Sequence, residues 1–189
     1  RKRVTRTFRK SSGVDERTAI FYLRPGNVKG TAFLNVDYAE PGREDDRWLY
    51  LPALRKVRRI SASKRSEYFL GTDFTYEDIS NETKVNVPDY KRRIIGSEEI
   101  DGRPCLIMEA VPVNDRIAKE LGYSRVVSHV DEKLWMLRKA DYRDTRGKPL
   151  KTIHFRDIRK VEGIWTAHRL EAHNHGTGHK TILTSKDVN

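Results

Sequence analysis

The sequence predicts a mainly β (α+β) protein: one large antiparallel sheet, curled into a half-barrel, with a short helical flap across its mouth. Three observations predict it. Short runs of β-branched and aromatic residues recur between turn signals along most of the chain. About nine or ten such strands are too many to stay flat, because strands twist and a wide sheet curls. One stretch, Pro52–Asn81, breaks the strand pattern yet keeps a high density of aromatics. Its cheapest place is over the apolar face of the sheet.

Taken in order, residues 1–10 alternate weakly, with Val4 and Phe8 among arginines and lysines, as a first strand or a basic arm. Arg17–Leu23 is a strand by its content, punctuated by Pro25-Gly26. Gly30–Tyr38 alternates, with Ala32, Leu34, Val36 and Tyr38 on one face, and ends at a Pro41-Gly42 turn. Trp48–Leu51 is a strand stopped by Pro52. Gly71 and Thr72 break the flap, and the spacing beyond predicts a short helix from about Asp73 to Ser80, capped by Thr72 or Asp73. Tyr90–Ile95 and Pro104–Val111 are strands flanking an Asp101-Gly102 hairpin turn. Asn114–Leu121 reads as a two-turn helix: Asn114 caps it, Ile117 and Leu121 share a face, and Gly122 stops it. A meander follows, with strands at Ser124–Val130, Leu134–Tyr142, Leu150–Ile158, Ile164–His173 and Lys180–Thr184. The 189 residues fit a single domain with a real core.

The composition is soluble and polar, 37 % hydrophobic and 34 % charged, with a formal net charge of +11. No run approaches the roughly 18 apolar residues of a membrane-spanning helix. A basic surface favours polyanions: nucleic acid, anionic headgroups or an acidic protein. The charge is not evenly spread. From Arg47 to Ser66 the chain holds Arg47, Arg55, Lys56, Arg58, Arg59, Lys64 and Arg65 and no acid. From Glu67 to Glu82 it holds Glu67, Asp73, Glu77, Asp78 and Glu82 and no base. The aromatics lie in the acidic half, where phosphate is repelled. That argues against nucleic acid, whose readers interleave bases with aromatics, and for internal charge pairing or docking on an acidic partner or membrane surface.

Nothing in the sequence predicts an enzyme. It has no G-x-S-x-G, no Cys/His neighbourhood and no phosphate-binding glycine loop. The single Cys105 sits in an apolar run, as a structural thiol, and excludes an intrachain disulfide. His168, His173, His175 and His179 lie close together, but at a Gly-rich hairpin tip and at no established metal spacing, so they read as an exposed turn. No cofactor is expected. The aromatic density from Trp48 to Ile79 has two readings: an ordinary core under a loop, or a cavity for apolar cargo.

At this stretch the chain resembles a known family. WLYLPALRKVRRI (48–60) followed by FLGTDFTYEDI (69–79) is similar to the signature of the bacterial LolA-like outer-membrane lipoprotein-sorting proteins. The likeness extends to VKGTAFL (28–34), to YSRVVSHVDEKLWMLRKADYRDTRGKPLKTI (123–153) and to GIWTAHRLEAHNHGTGHKTIL (163–183), nearly the whole chain. The resemblance implies an unclosed antiparallel β-barrel with short helices as a lid, and a concave face that holds the acyl chains of a lipoprotein or lipid. It implies the periplasm of a Gram-negative bacterium. It also implies an inner-membrane exporter, some of the resistance–nodulation–division type, and an outer-membrane acceptor as partners. The lid-locking arginine of the carriers falls on no single residue here; Arg47, Arg55, Arg58 and Arg59 compete, and Val28 is a poor match to the protruding apolar loop of the receptors. The second domain of the related anti-sigma regulators has no counterpart, which speaks against that role.

The function expected is a periplasmic carrier that binds acyl chains and delivers them toward the outer membrane. The alternative is a basic-surface module for a polyanion or acidic protein, without a lipid cavity. Strand alternation assigns the lining to Leu34 and Val36, Trp48 and Tyr50, Leu54 and Val57. From the flap it takes Phe69, Leu70, Phe74, Tyr76 and Ile79, and from the later strands Ile107, Val127, Trp135, Leu137, Ile153, Phe155 and Trp165. Arg55, Lys56, Arg58 and Arg59 would meet headgroups or a partner. A register error of one residue would turn a whole strand over.

Overall fold

The computed structural model describes residues 2–11, 14–40, 43–80 and 87–188. They form twelve strands, two α-helices and four short 3-10 turns. The chain divides into two compact units, Arg1–Arg65 and Ser66–Asn189, each built on its own antiparallel sheet. Neither sheet closes on itself among the described residues. The open antiparallel architecture with short helices is the one the patterning predicts, but the ladder comes as two sheets, and the described residues among 60–89 add no strand to either. The Pro41-Gly42 turn, and Asn81 and Glu82 at the end of the flap, lie outside the described residues.

The first unit holds β1 (Lys2–Ser11), β2 (Val14–Arg24), β3 (Ala32–Tyr38), β4 (Asp46–Leu51) and β5 (Lys56–Arg59), paired in that order. Residues 2–11 are therefore a strand and not a free basic arm. Register fixes the two faces. Ile20, Phe33 and Leu49 stand side by side on the buried face, flanked by the buried polar row Thr18, Asn35 and Arg47. On the other face Ala19, Leu34, Trp48 and Arg59 form one row, and Phe21, Ala32, Tyr50 and Val57 the next. Phe21, Leu34, Tyr50 and Val57 of that face are exposed. Pro52 ends β4 and opens the 3-10 turn Pro52–Leu54, which Arg55 closes in a left-handed conformation. β5 was expected within the flap. It is instead the edge of the first sheet, and its charged side chains suit an edge that must not recruit another strand.

The second unit orders its strands as β12-β11-β10-β9-β8-β7-β6. These are β6 (Tyr90–Ile100), β7 (Arg103–Pro112), β8 (Arg125–Asp131), β9 (Leu137–Arg143), β10 (Pro149–Val161), β11 (Ile164–Asn174) and β12 (Lys180–Thr184). Register breaks near Ile94/Gly96, His129/Val130 and Pro149/Lys151 bend the strands and curl the sheet. Two helices join it: α1 (Tyr76–Ser80) and α2 (Asp115–Leu121). α2 forms as its sequence predicts. Asn114 accepts the Ile117 amide at 3.0 Å, Gly122 closes the helix at φ 76°, and Ile117 and Leu121 are buried.

The two faces of this sheet differ completely. One carries the rows Ala110–Val126–Tyr142–Lys151 and Met108–Ser128–Ala140–Ile153–Ala172, with Phe155–Leu170–Leu183 beyond. The other carries Arg93–Glu109–Val127–Asp141–Thr152–His173–Lys180 and Ile107–His129–Lys139–His154–Glu171–Ile182. Charges there are paired along the surface: Glu109 takes both Arg93 (2.5 Å) and Arg125 (2.6 Å), and Glu171 takes Arg169 (2.6 Å) and Arg156 (3.3 Å).

Candidate functional site: a latched flap over an apolar cavity

The flap of the second unit begins as a tight hairpin. Tyr68 bridges Thr75, the Phe69 amide donates to the Phe74 carbonyl at 2.8 Å, and the Tyr76 amide to Glu67 at 3.1 Å. Leu70 (φ 47°) and Gly71 (φ 71°) make the reversal. Because the Phe74 carbonyl serves this hairpin, residues 72–74 are not helical. The helix starts at Tyr76, later than expected, and its cap is Thr75 and not Thr72 or Asp73. Thr75 and Asp78 form a reciprocal capping box: the Asp78 amide donates to Thr75 Oγ1 (3.2 Å), and the Thr75 amide to Asp78 Oδ2 (2.6 Å).

Three polar latches hold the flap to the sheet. Asn174 Nδ2 donates to the Tyr68 hydroxyl at 2.8 Å. Asp73 Oδ2 accepts from Thr181 Oγ1 at 2.6 Å and meets His179 Nδ1 at 2.6 Å, while its amide donates to Thr181 Oγ1 at 3.0 Å. The third latch is the most buried. Tyr123 donates to Asp78 Oδ1 at 3.0 Å and lies 3.1 Å from Thr75 Oγ1. Lys151 donates to the Tyr123 hydroxyl at 2.8 Å and to Asp78 Oδ2. The Lys151 ammonium is 5.0 Å from the ring centres of both Tyr123 and Tyr142, so it is held between two π faces. Burial pushes its pKa down, and Asp78 opposes that. Burial, then the Asp78 charge, pushes Tyr123 well up, so it stays a neutral donor. The partners of Asp73 and Asp78 outside the flap thus come from later in the chain: His179 and Thr181 for Asp73, Tyr123 and Lys151 for Asp78.

Between this flap and the sheet lies a cavity of about 400 Å³. Phe74 covers it, Met108, Ala110, Val126, Ile153 and Phe155 floor it, and Tyr123, Tyr142 and Asp78 bound its polar end. It is of ligand-site size and mainly apolar. Of the lining expected from sequence, Phe74, Trp135, Leu137, Ile153 and Phe155 come together here. Phe69, Tyr76 and Ile79 are buried in the flap itself, with Phe69 edge-on to Tyr76 at 5.2 Å, and Leu70 sits half-buried at its reversal. Ile107 and Val127 turn to the charged face, opposite Met108 and Val126. Trp165 pairs with Lys160, which stacks over it at 5.2 Å. Trp135 was expected in a strand and stands in the β8–β9 turn instead. Leu34, Val36, Trp48, Tyr50 and Val57 share the open face of the first sheet, and Leu54 lies exposed on the turn before β5.

Arg55, Lys56 and Arg58 are exposed and carry no ion pair among the described residues. Arg59 differs: it binds Asp46 at 2.5 Å, and its guanidinium lies 5.9 Å from the Trp48 ring. His175 lies 2.9 Å from Thr152 Oγ1 and is edge-on to His173, with ring centres 4.9 Å apart. Among the described residues no group of three His, Cys, Asp or Glu is placed to hold a metal ion. Sequence reasoning missed Thr75, Asp78, Tyr123 and Lys151. Two signals were present: T-x-x-D at Thr75–Asp78 is a capping box, and alternation in PLKTIHF puts Lys151 on one face with Ile153 and Phe155.

An open antiparallel sheet whose apolar face is covered by a short helical flap defines a lid-and-cavity binding protein of the LolA-like class. The comparisons agree. A family model described only as that of an uncharacterized protein matches residues 14–189. A solved domain from Vibrio parahaemolyticus, described as an outer membrane lipoprotein-sorting protein domain, is 31 % identical over 98 % of this chain and 76 % of its own, at TM-score 0.85. A DUF1329 family protein from Desulfovibrio piger is 30 % identical over 99 % of this chain and 78 % of its own, at TM-score 0.81. A LolA superfamily protein from Nitrosomonas europaea shares the fold at TM-score 0.65 and 19 % identity, over 99 % of this chain and 85 % of its own. No curated protein sequence matches. The chain belongs to the DUF1329 family, as a relative of the outer membrane lipoprotein-sorting protein domain, and it has the LolA fold.

Proposed function

We propose that this protein is a periplasmic carrier that binds the acyl chains of a lipoprotein or lipid and delivers them toward the outer membrane, with residues 1–189 acting as one binding domain and no catalytic step. The observation that supports this most is the apolar cavity of about 400 Å³ under a flap held by polar latches. Acyl burial is worth about 0.8 kcal/mol per CH₂, so a carrier needs a way to offset it at release. A flap that repacks its own Phe69, Phe74 and Tyr76 supplies that, because cargo and flap compete for the same apolar surface. The first unit has an apolar face of its own, with Leu34, Val36, Trp48, Tyr50 and Val57, and its Arg55, Lys56, Arg58 and Arg59 meet an anionic membrane surface or acidic partner, an attraction that salt weakens. An inner-membrane exporter and an outer-membrane acceptor are the partners this role requires.

Native mass spectrometry after periplasmic purification, with uptake of a fluorescent fatty-acyl probe, tests the reading. A co-purifying acyl species and saturable uptake, weakened at least tenfold by Phe74→Ala, are expected. Uptake unchanged in Phe74→Ala sinks the flap. A clean apo mass with no uptake sinks the carrier and leaves the exposed Arg55, Lys56 and Arg58 as the surface of a polyanion-binding module.

A further inference from the structure

The cavity has a direction along the strands. Its rows run from Ala110–Val126–Tyr142, through Met108–Ser128–Ala140–Ile153, to Val130 and Leu137. Val126 to Val130 is four residues, about 13 Å at roughly 3.3 Å per residue. The first end is stopped by the Asp78–Tyr123–Lys151 cluster, with Tyr90, Glu77 and the half-buried Arg92 also on the lining there. Asp78, Tyr123 and Lys151 are deeply buried and bond one another, and Arg92 donates to the Val87 carbonyl at 2.8 Å, so these groups are already satisfied without a headgroup.

The other end runs to the β8–β9 hairpin, whose Trp135 lines the cavity while remaining 73 % exposed. The turn holds it firmly. Asp131, wholly buried, accepts the Lys133 and Leu134 amides at 2.9 Å each and the Arg138 guanidinium at 2.8 Å. The Trp135 amide donates to the Asp131 carbonyl at 2.9 Å, with Trp135 at φ 53°. A large aromatic in the left-handed region is strained, and such strain persists only where its surroundings impose it. An indole presented this way suits a boundary between apolar chain and polar head.

Volume sets the occupant. A cavity of about 150 Å³ holds one benzene, or about 25 Å³ per carbon, so about sixteen carbons fill a space of this size. We propose that the cavity takes one acyl chain, bent within it, methyl end first, through the Trp135 end, and leaves the headgroup outside against the indole. This rests on the carrier reading and narrows its cargo to one chain per cavity, chosen by length and not by headgroup.

The test uses the full chain and displacement of a fluorescent fatty-acyl probe. The competitors are lysophosphatidylcholines and lysophosphatidylglycerols of about ten to eighteen carbons, and a diacyl phosphatidylglycerol. The expected result is about fourfold tighter binding per added methylene, levelling off near sixteen carbons. The two lysolipid heads should agree within about threefold at 0.15 M salt, and the diacyl lipid should compete at least tenfold less well than the lysolipid of equal chain. Val126→Phe, at the closed end, should shorten the preferred chain by several carbons, and Trp135→Ala should weaken every lysolipid alike without moving the preferred length. Equal competition by the diacyl lipid, a headgroup effect larger than the length effect, or an unmoved optimum in folded Val126→Phe overturns the proposal. The wild-type series decides alone if Val126→Phe does not fold. No probe uptake by the wild type is a different failure: it overturns the carrier reading and this proposal with it.

Discussion

Lys151 on β10 and Asp78 in α1 form an ion pair with the lysine wholly buried, and the Tyr123 hydroxyl bonds both partners. A lysine this deep is unfavourable by itself, which is why its pKa is pushed down. It is tolerated because the carboxylate, a hydroxyl and two aromatic faces replace water. The pair therefore joins the flap to the sheet by mutual need: neither charge has another partner of opposite sign within bonding distance among the described residues.

Removing one member should cost far more than removing both. Lys151→Met leaves Asp78 buried without its cation and should destabilise by about 3–5 kcal/mol. Asp78→Asn keeps an acceptor for the Thr75 amide, so the double variant Lys151→Met/Asp78→Asn should recover much of that loss. A double-mutant cycle on urea midpoints measures it. Additive losses would mean that the two residues act independently. The same single variant should release an acyl probe faster, since the flap has lost its deepest tie.

Alternation and capping made most of the fold legible in advance. Asn114 and Gly122 bracketed α2 to the residue, and Leu34, Val36, Trp48 and Tyr50 were placed on a common face. Reading failed where a long-range bond overrides a local preference. Thr72 and Asp73 are good caps in isolation, but Phe69 takes the Phe74 carbonyl and Thr181 takes the Asp73 carboxylate, so the helix waits for Thr75. Ile107 and Val127 sit in strands apolar on both sides, where no pattern tells core from surface. Lys151 was passed over because a lysine among apolar neighbours shows its partner only in three dimensions.

The β8–β9 hairpin should set part of the acid limit of stability. Burial raises the Asp131 pKa, but the Arg138 guanidinium and the Leu134 and Lys133 amides together outweigh it and hold the carboxyl below its ordinary 3.8. The unfolded chain then takes up the proton first as pH falls. The stabilisation is present in full above about pH 4 and is lost as pH drops through the lower folded value. Glu109, Asp141 and Glu171, also lowered, act with the same sign. Melting temperature measured from pH 6 to about pH 2 should fall steeply at the acid end, and Asp131→Asn should make that fall shallower while lowering the plateau at neutral pH. An acid limb of unchanged steepness would show that Asp131 does not titrate differently in the folded protein.

Gly122 is fixed by two independent constraints, and they can be separated. Its φ of 76° lies in the left-handed region, which disfavours any side chain by about 1–2 kcal/mol. A Cβ built there would stand 2.6 Å from Cβ of Ser66, at the root of the flap, so the neighbour would have to move as well. Gly122→Ala should therefore destabilise by more than the backbone cost alone, to about 2–4 kcal/mol. Ser66→Gly in the same chain removes the atom that is struck and leaves the backbone strain. The double variant should return to a loss of about 1–2 kcal/mol, beyond the small cost of Ser66→Gly by itself. Urea unfolding at constant m value reads both numbers. No recovery in the double variant would mean that the helix end relaxes away from Ser66 and that φ alone makes this position a glycine.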